Sequence, residues 1–165
     1  MVYPQRIEPT PEQESVWDYP RPPRLEDTNK HIQVIFNGVT IVDTHHAKRV
    51  LETSHPPSYY IPPGDIKMEY LVLTPQSSFC EWKGNATYYT IQVSDRQVQN
   101  AAWFYSNPTP AFASLKDHVA FYAHLMDACY VNEERVEPQP GNFYGGWITS
   151  DIVGPFKGSP GTWGW

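Results

Sequence analysis

The stretch Ile32-Gln33-Val34-Ile35-Phe36-Asn37-Gly38-Val39-Thr40-Ile41 decides the fold. Apolar side chains stand at Ile32, Val34 and Phe36, every second residue, and again at Val39 and Ile41. A period of two belongs to a strand with one buried face, not to a helix. Asn37-Gly38 separates the two runs, and this pair readily takes the positive φ angles of a tight primed turn. The stretch reads as a β-hairpin.

Working outward, residues 48–53 predict a third strand. His55-Pro56-Pro57-Ser58-Tyr59-Tyr60-Ile61-Pro62-Pro63 follows as an aromatic loop restrained by its prolines. Gly64 to Val72 reads as one or two helical turns, with Asp65 near the positive end and a stop at Leu73-Thr74-Pro75. Thr87, Tyr89, Ile91 and Val93 share one strand face, and Tyr88, Thr90 and Gln92 the other. Ser94-Asp95-Arg96-Gln97 makes a hairpin turn, and residues 101–105 a strand closed by Ser106-Asn107-Pro108. After a short helix from Phe112 to Lys116, two strands are expected at Val119 to Tyr122 and Ala128 to Val131. The sum is an all-β chain of two packed antiparallel sheets with one or two short helices.

An extended Pro-rich N-terminal arm (1–31), with Tyr19-Pro20-Arg21-Pro22-Pro23-Arg24, precedes this core (32–131), and Trp17 and Tyr19 are its candidate anchors. The C-terminal extension (132–165) is rich in glycine and aromatic residues and holds three Trp. Disordered tails are poor in large aromatics, so the extension is expected to pack on the core, or on a second copy in a homodimer.

The 165 residues suit one domain with a real core. Aromatic residues make up 15% and there are 17 prolines, which disfavours long helices. Net charge is -6 and the 12 basic residues never cluster, so nucleic acid is not an expected partner. No apolar run is long enough to span a membrane. Met1-Val2-Tyr3-Pro4 opens no apolar leader, so a cytoplasmic protein with reduced Cys80 and Cys129 is expected.

The chemistry-bearing residues gather around Cys80-Glu81-Trp82-Lys83-Gly84. Trp82, Trp103 and Tyr105 on neighbouring strands, with Tyr59, Tyr60 and His55 from the Pro-rich loop, are candidates for an aromatic pocket that binds a cation or a flat ring. The bland alternative is a Trp-rich core standing in for leucine. Cys80 reads first as a small buried hydrophobe, and as a nucleophile only beside a base. His118 is a candidate acid or base if it points inward, and Glu52 a partner for Lys83 or for a cationic ligand. Two readings follow: a small-molecule-binding module, or a small cofactor-free enzyme using Cys80, His118, Glu52 and Lys83.

Leu51-Glu52-Thr53-Ser54-His55-Pro56-Pro57-Ser58-Tyr59-Tyr60-Ile61-Pro62, Cys80-Glu81-Trp82-Lys83-Gly84, Asn100-Ala101-Ala102-Trp103 and His118-Val119-Ala120-Phe121-Tyr122 occur in that order. In this the chain resembles the family catalogued as domain of unknown function number 427, in a longer form carrying the arm and the tail. Where the family pattern has Cys-Pro-Trp-Lys-Gly, this chain has glutamate at position 81. The resemblance implies a β-tent fold, two antiparallel sheets pinned at one edge, but no particular activity. A nucleotidyltransferase-style label attached to such domains finds no Gly-Ser motif with spaced carboxylates here. Many β-tent proteins hold zinc with four cysteines. Two cysteines without Cys-x-x-Cys spacing argue against that, so no metal or cofactor is expected.

Overall fold

The structure, a computed structural model, describes residues 5–165, and the first four residues of the expected arm lie outside it. The strands are β1 (Glu14–Ser15), β2 (Arg24–Asp27), β3 (Ile32–Phe36), β4 (Val39–Thr44), β5 (Lys48–Leu51), β6 (Ser58–Tyr60), β7 (Leu71–Cys80) and β8 (Gly84–Val93). They continue with β9 (Arg96–Phe104), β10 (Val119–Phe121), β11 (Ala128–Val131), β12 (Glu134–Arg135), β13 (Glu137–Pro138), β14 (Trp147–Ile148) and β15 (Ile152–Val153). The helical content is a set of short 3-10 turns, among them Pro63–Asp65, Met68–Tyr70 and Pro110–Leu115. The fold is all-β.

The hairpin forms as read. β3 pairs antiparallel with β4, and Asn37 and Gly38 both take positive φ, 48° and 77°. β3 buries alternate residues, Ile32, Val34 and Phe36. β11 and then β12 extend this sheet to the order β12-β11-β3-β4. A second antiparallel sheet has the order β10-β9-β8-β7, and a third β2-β5-β6. Reciprocal backbone hydrogen bonds of 2.9 Å between Ile61 and Val119 join the β6 edge to the β10 edge.

The expected stop at Leu73-Thr74-Pro75 is corrected. These residues lie inside the ten-residue strand β7. Proline removes a ladder donor, which an edge strand or an irregularity tolerates. β7 is the edge of its sheet, and its pairing with β8 shifts register between Leu73 and Ser77, around Pro75.

The main core lies between the first two sheets and includes Ile32, Val34, Phe36, Ile61, Ile91 and Phe121. A smaller cluster, with Trp103, Tyr105, Ala120 and Tyr60, covers the opposite face of the β10-β9-β8-β7 sheet. Strand alternation produces the division. On β9, Ala102 and Phe104 enter the main core while Trp103, with Tyr105 just beyond the strand, faces the other way.

The described part of the arm and the C-terminal extension dock on the same body. β1 pairs in parallel with β15, Val16 is fully buried, and Trp17 Nε1 donates to the Pro155 carbonyl at 2.9 Å. Trp147 is in the main core at 1% exposure, Trp165 meets Trp17 edge-on at 5.6 Å, and Trp163 is exposed. No helix among the described residues is long and apolar enough to cross a membrane.

Candidate functional site

The second face of the β10-β9-β8-β7 sheet is the floor of a half-open cleft of about 590 Å³. Register sets who stands there. Tyr88 on β8 lies opposite Trp103 on β9, Trp103 lies opposite Ala120 on β10, and Tyr122 follows two residues later on the same face. Trp103 and Tyr122 pack with ring centroids 4.6 Å apart, and Tyr60 meets Trp103 edge-on at 6.2 Å. The Trp103 indole donates to the Tyr60 hydroxyl at 3.2 Å, and Tyr88 and Ser78 share a hydrogen bond of 2.9 Å.

The β7–β8 turn brings Trp82 and Lys83 to the rim. Its two ends meet at the Cys80–Gly84 pair, and Gly84 has φ +110°, a backbone that side-chain-bearing residues rarely adopt. The Asn107–Thr109 loop fixes the turn from outside. Thr109 Oγ1 donates to the Trp82 carbonyl at 2.6 Å, and the Thr109 amide to the Lys83 carbonyl at 3.0 Å.

The other wall belongs to the C-terminal extension. Gln139, Phe143, Tyr144, Gly145 and Lys157 all line the cleft. The Tyr122 hydroxyl donates to the Phe143 carbonyl at 3.1 Å, and the Tyr144 and His55 rings lie 4.7 Å apart. Gly145 lies directly on Trp103, where a Cβ would stand 2.2 Å from the indole Cη2.

Gln139 settles the state of His55. The Gln139 Oε1 accepts from the Gly146 amide at 3.1 Å, and its Nε2 donates to the Lys157 carbonyl at 2.8 Å. With its amide oriented by two backbone groups, Nε2 presents its second hydrogen to His55 Nδ1 at 3.0 Å. Nδ1 is therefore the acceptor, and the ring proton sits on Nε2, 3.7 Å from the Glu52 carboxylate. Burial, reinforced by Lys157, Arg21 and Lys83, pushes the His55 pKa down to about 3. The Gln139 bond favours the same state, since only the neutral ring can accept at Nδ1.

A stability prediction follows from this depressed value. Unfolded, the imidazole protonates near 6.5, while the folded ring resists down to about 3. The unfolded state thus binds more protons in that window, so the contribution is full above pH 6.5 and declines as pH falls toward 3. The expected slope is at most about 1.4 kcal/mol per pH unit. Urea unfolding of His55→Gln against the parent checks it: the variant should lose part of the acid sensitivity below pH 6.5, and parallel pH profiles would disprove it.

Burial opposes the charge on Lys83, but neighbouring Tyr60, Cys80 and Glu52 outweigh it, and the pKa ends above that of a free lysine. Its ammonium lies 5.9 Å from the centre of the Tyr105 ring. Glu52 is engaged by Arg21 from the arm, at 3.4 Å.

Most of the residues singled out in the sequence meet here: Glu52, His55, Tyr60, Cys80, Trp82 and Lys83, with Trp103 and Tyr105 behind them. Two do not. Tyr59 precedes Tyr60 on a strand and so points the opposite way, into the main core, where its ring lies 5.3 Å from Trp147. His118 sits before β10, outside the cleft, and its Nδ1 lies 3.1 Å from the Lys116 carbonyl. The condition placed on His118, that it point inward, is not met, and His55 is the imidazole at the cleft. Tyr88 and Tyr122 were readable from strand alternation. Gln139, Tyr144 and Lys157 had no local signal, because only the path of the extension brings them in. Among the described residues no group of three His, Cys, Asp or Glu side chains is placed to hold a metal ion.

No curated protein matches the chain. A family match does exist, over residues 24–132, an interval that supplies the cleft floor, the Trp82–Lys83 turn and the Glu52–His55 side, and that ends before Gln139. With the matched interval forming most of the protein and all three sheets of three or more strands lying within it save the short β12, the chain belongs to the family described as Domain of unknown function (DUF427).

Proposed function

We propose that the protein binds a small planar molecule in this cleft. The observation that carries the reading is the aromatic floor under a space of about 590 Å³, within the usual range of small-ligand sites. Trp82, Tyr88, Tyr122 and Tyr144 are half-buried and line the space, while the buried Tyr60, Trp103 and Tyr105 back them and Gly145 closes over the Trp103 indole. The enzyme reading has less support. Cys80, Glu52 and Lys83 do share the cleft. Yet the imidazole beside them has its acceptor nitrogen occupied by Gln139 and its N–H turned toward Glu52, which leaves the thiol without a free histidine base.

The test is a titration of the full chain with a panel of planar metabolites, read by tryptophan emission and by the Trp82 and Trp103 indole N–H resonances. Ligands should shift both resonances. Gly145→Ala should weaken them all and cost about 1–3 kcal/mol of stability, since the new methyl overlaps Trp103. If no compound at millimolar concentration moved either resonance, the reading would be lost.

A further inference from the structure

The charges around the cleft say more than its walls do. Two carboxylates, Glu52 and Glu81, two lysines, Lys83 and Lys157, and one histidine, His55, line it. Glu52 is partnered by Arg21, at 3.4 Å, and faces the His55 N–H. Glu81 is exposed on the β7–β8 turn, where water solvates it. The two lysines are different. Each lies over an aromatic ring, Lys83 at 5.9 Å from Tyr105 and Lys157 at 5.5 Å from Tyr144, and neither forms an ion pair among the described residues. The same two lysines, with Arg21, add to burial in opposing protonation of His55. Lys83, Lys157 and Arg21 thus gather around His55, against the one carboxylate of Glu52.

The hydroxyls agree in sign. Burial pushes the Tyr105 phenol well above its ordinary pKa, so it stays protonated. Tyr60 accepts from the Trp103 indole, and its own hydrogen remains available to donate. An anion meets ammonium and phenol donors there, while a cation meets repulsion from two lysines.

We infer that the ligand is a planar anion, an aromatic ring bearing a carboxylate or a comparable acidic group, with its ring against the half-buried Trp82, Tyr88 and Tyr122 and its charge at the Lys83–His55–Lys157 end. This rests on the small-molecule reading above and, of the two ligand kinds expected of the aromatic residues, takes the flat ring over the cation. A ring anion uses both parts of the site. Stacking holds the flat portion, and charge-assisted hydrogen bonds in a half-buried setting fix its direction.

Three probes of one shape separate the two proposals: naphthoate, naphthamide and naphthylmethylammonium, titrated into the full chain by calorimetry and by indole resonance shifts. Naphthoate should bind roughly tenfold tighter than naphthamide at low salt, with the ammonium weakest. Lys83→Gln and Lys157→Gln, each confirmed folded by its thermal melt, should each reduce that preference, and so should added salt. Equal affinity for naphthoate and naphthamide would overturn the anion while leaving the cleft as a binding site. A naphthoate preference untouched by both substitutions would overturn it too. Failure of all three probes to bind would count against the cleft reading itself, and the anion would fall with it.

Discussion

Trp147→Ala is expected to cost about 3–5 kcal/mol, the range for emptying a fully buried tryptophan site. Small domains have only about 5–15 kcal/mol in total, so the variant should be close to unfolding at physiological temperature. The expectation rests on where the indole sits. Trp147 is 1% exposed, packs on Tyr59 at 5.3 Å, and donates its Nε1–H to the Phe121 carbonyl at 3.0 Å. Its own amide donates to the Pro57 carbonyl at 2.8 Å, tying the extension to the Pro-rich loop. Truncation removes a large apolar volume and leaves a strand carbonyl without its donor. Urea unfolding measures the loss. Trp147→Phe, which keeps most of the volume but not the donor, should lie between the parent and alanine. A loss below about 1 kcal/mol for the alanine variant would show that the extension does not contribute to the core as described.

Arg49→Ala is the second large effect, at about 2–3 kcal/mol. Arg49 stands on β5 with its side chain 6% exposed. It donates to both Glu14 oxygens, at 3.0 and 3.2 Å, and to Glu26 from Nε at 2.8 Å. Glu14 also accepts from the Tyr19 hydroxyl at 2.7 Å. Burial works against the charge on Glu14, but the Arg49 and Tyr19 hydrogen bonds win, and its pKa lies below the usual carboxylate value. The guanidinium thus holds β1 and β2, from the arm, against the β5 strand. Both carboxylates reach water, so its removal does not strand a fully buried charge, which is why the figure is lower than for a closed ion pair. Arg49→Met keeps the stem's packing and should cost less than alanine. Limited proteolysis within residues 5–23 should accelerate in Arg49→Ala, and an unchanged digestion rate together with unchanged stability would refute the clamp.

How much of this was legible before the fold depended on the range of the signal. The β3–β4 hairpin was written locally, in three alternating apolar residues and an Asn-Gly pair, and it forms with both turn residues at positive φ. β11 was equally plain, and Asn132 and Glu133 after it also turn through positive φ. β7 was hidden because Pro75 argues against a strand, and only its position at a sheet edge permits it. For the cleft, motif residues such as Trp82, Lys83 and Trp103 were visible as a cluster of reactive and aromatic types. Whether Tyr59 or Tyr60 faced the cleft depended on the direction in which β6 pairs, and two adjacent tyrosines look alike without it. The Gln139–His55 bond spans 84 positions, a separation that no sequence period encodes.

The division of the cleft into a laddered floor and a looped wall has a bearing on how its specificity could diversify. Trp103, Tyr88 and Ala120 are fixed by cross-strand pairing, so changing the floor means disturbing the sheet. The wall between Gln139 and Gly146 consists of bends and irregular backbone, with Phe143 at 69% exposure and without a strand of its own. Substitutions at Phe143 or Tyr144 would therefore exchange the surface that a ligand meets while leaving every sheet intact. Such a loop can be regrafted, by selection or by hand, to turn one aromatic floor into receptors for different molecules, provided that glycine is kept where the chain crosses the Trp103 ring.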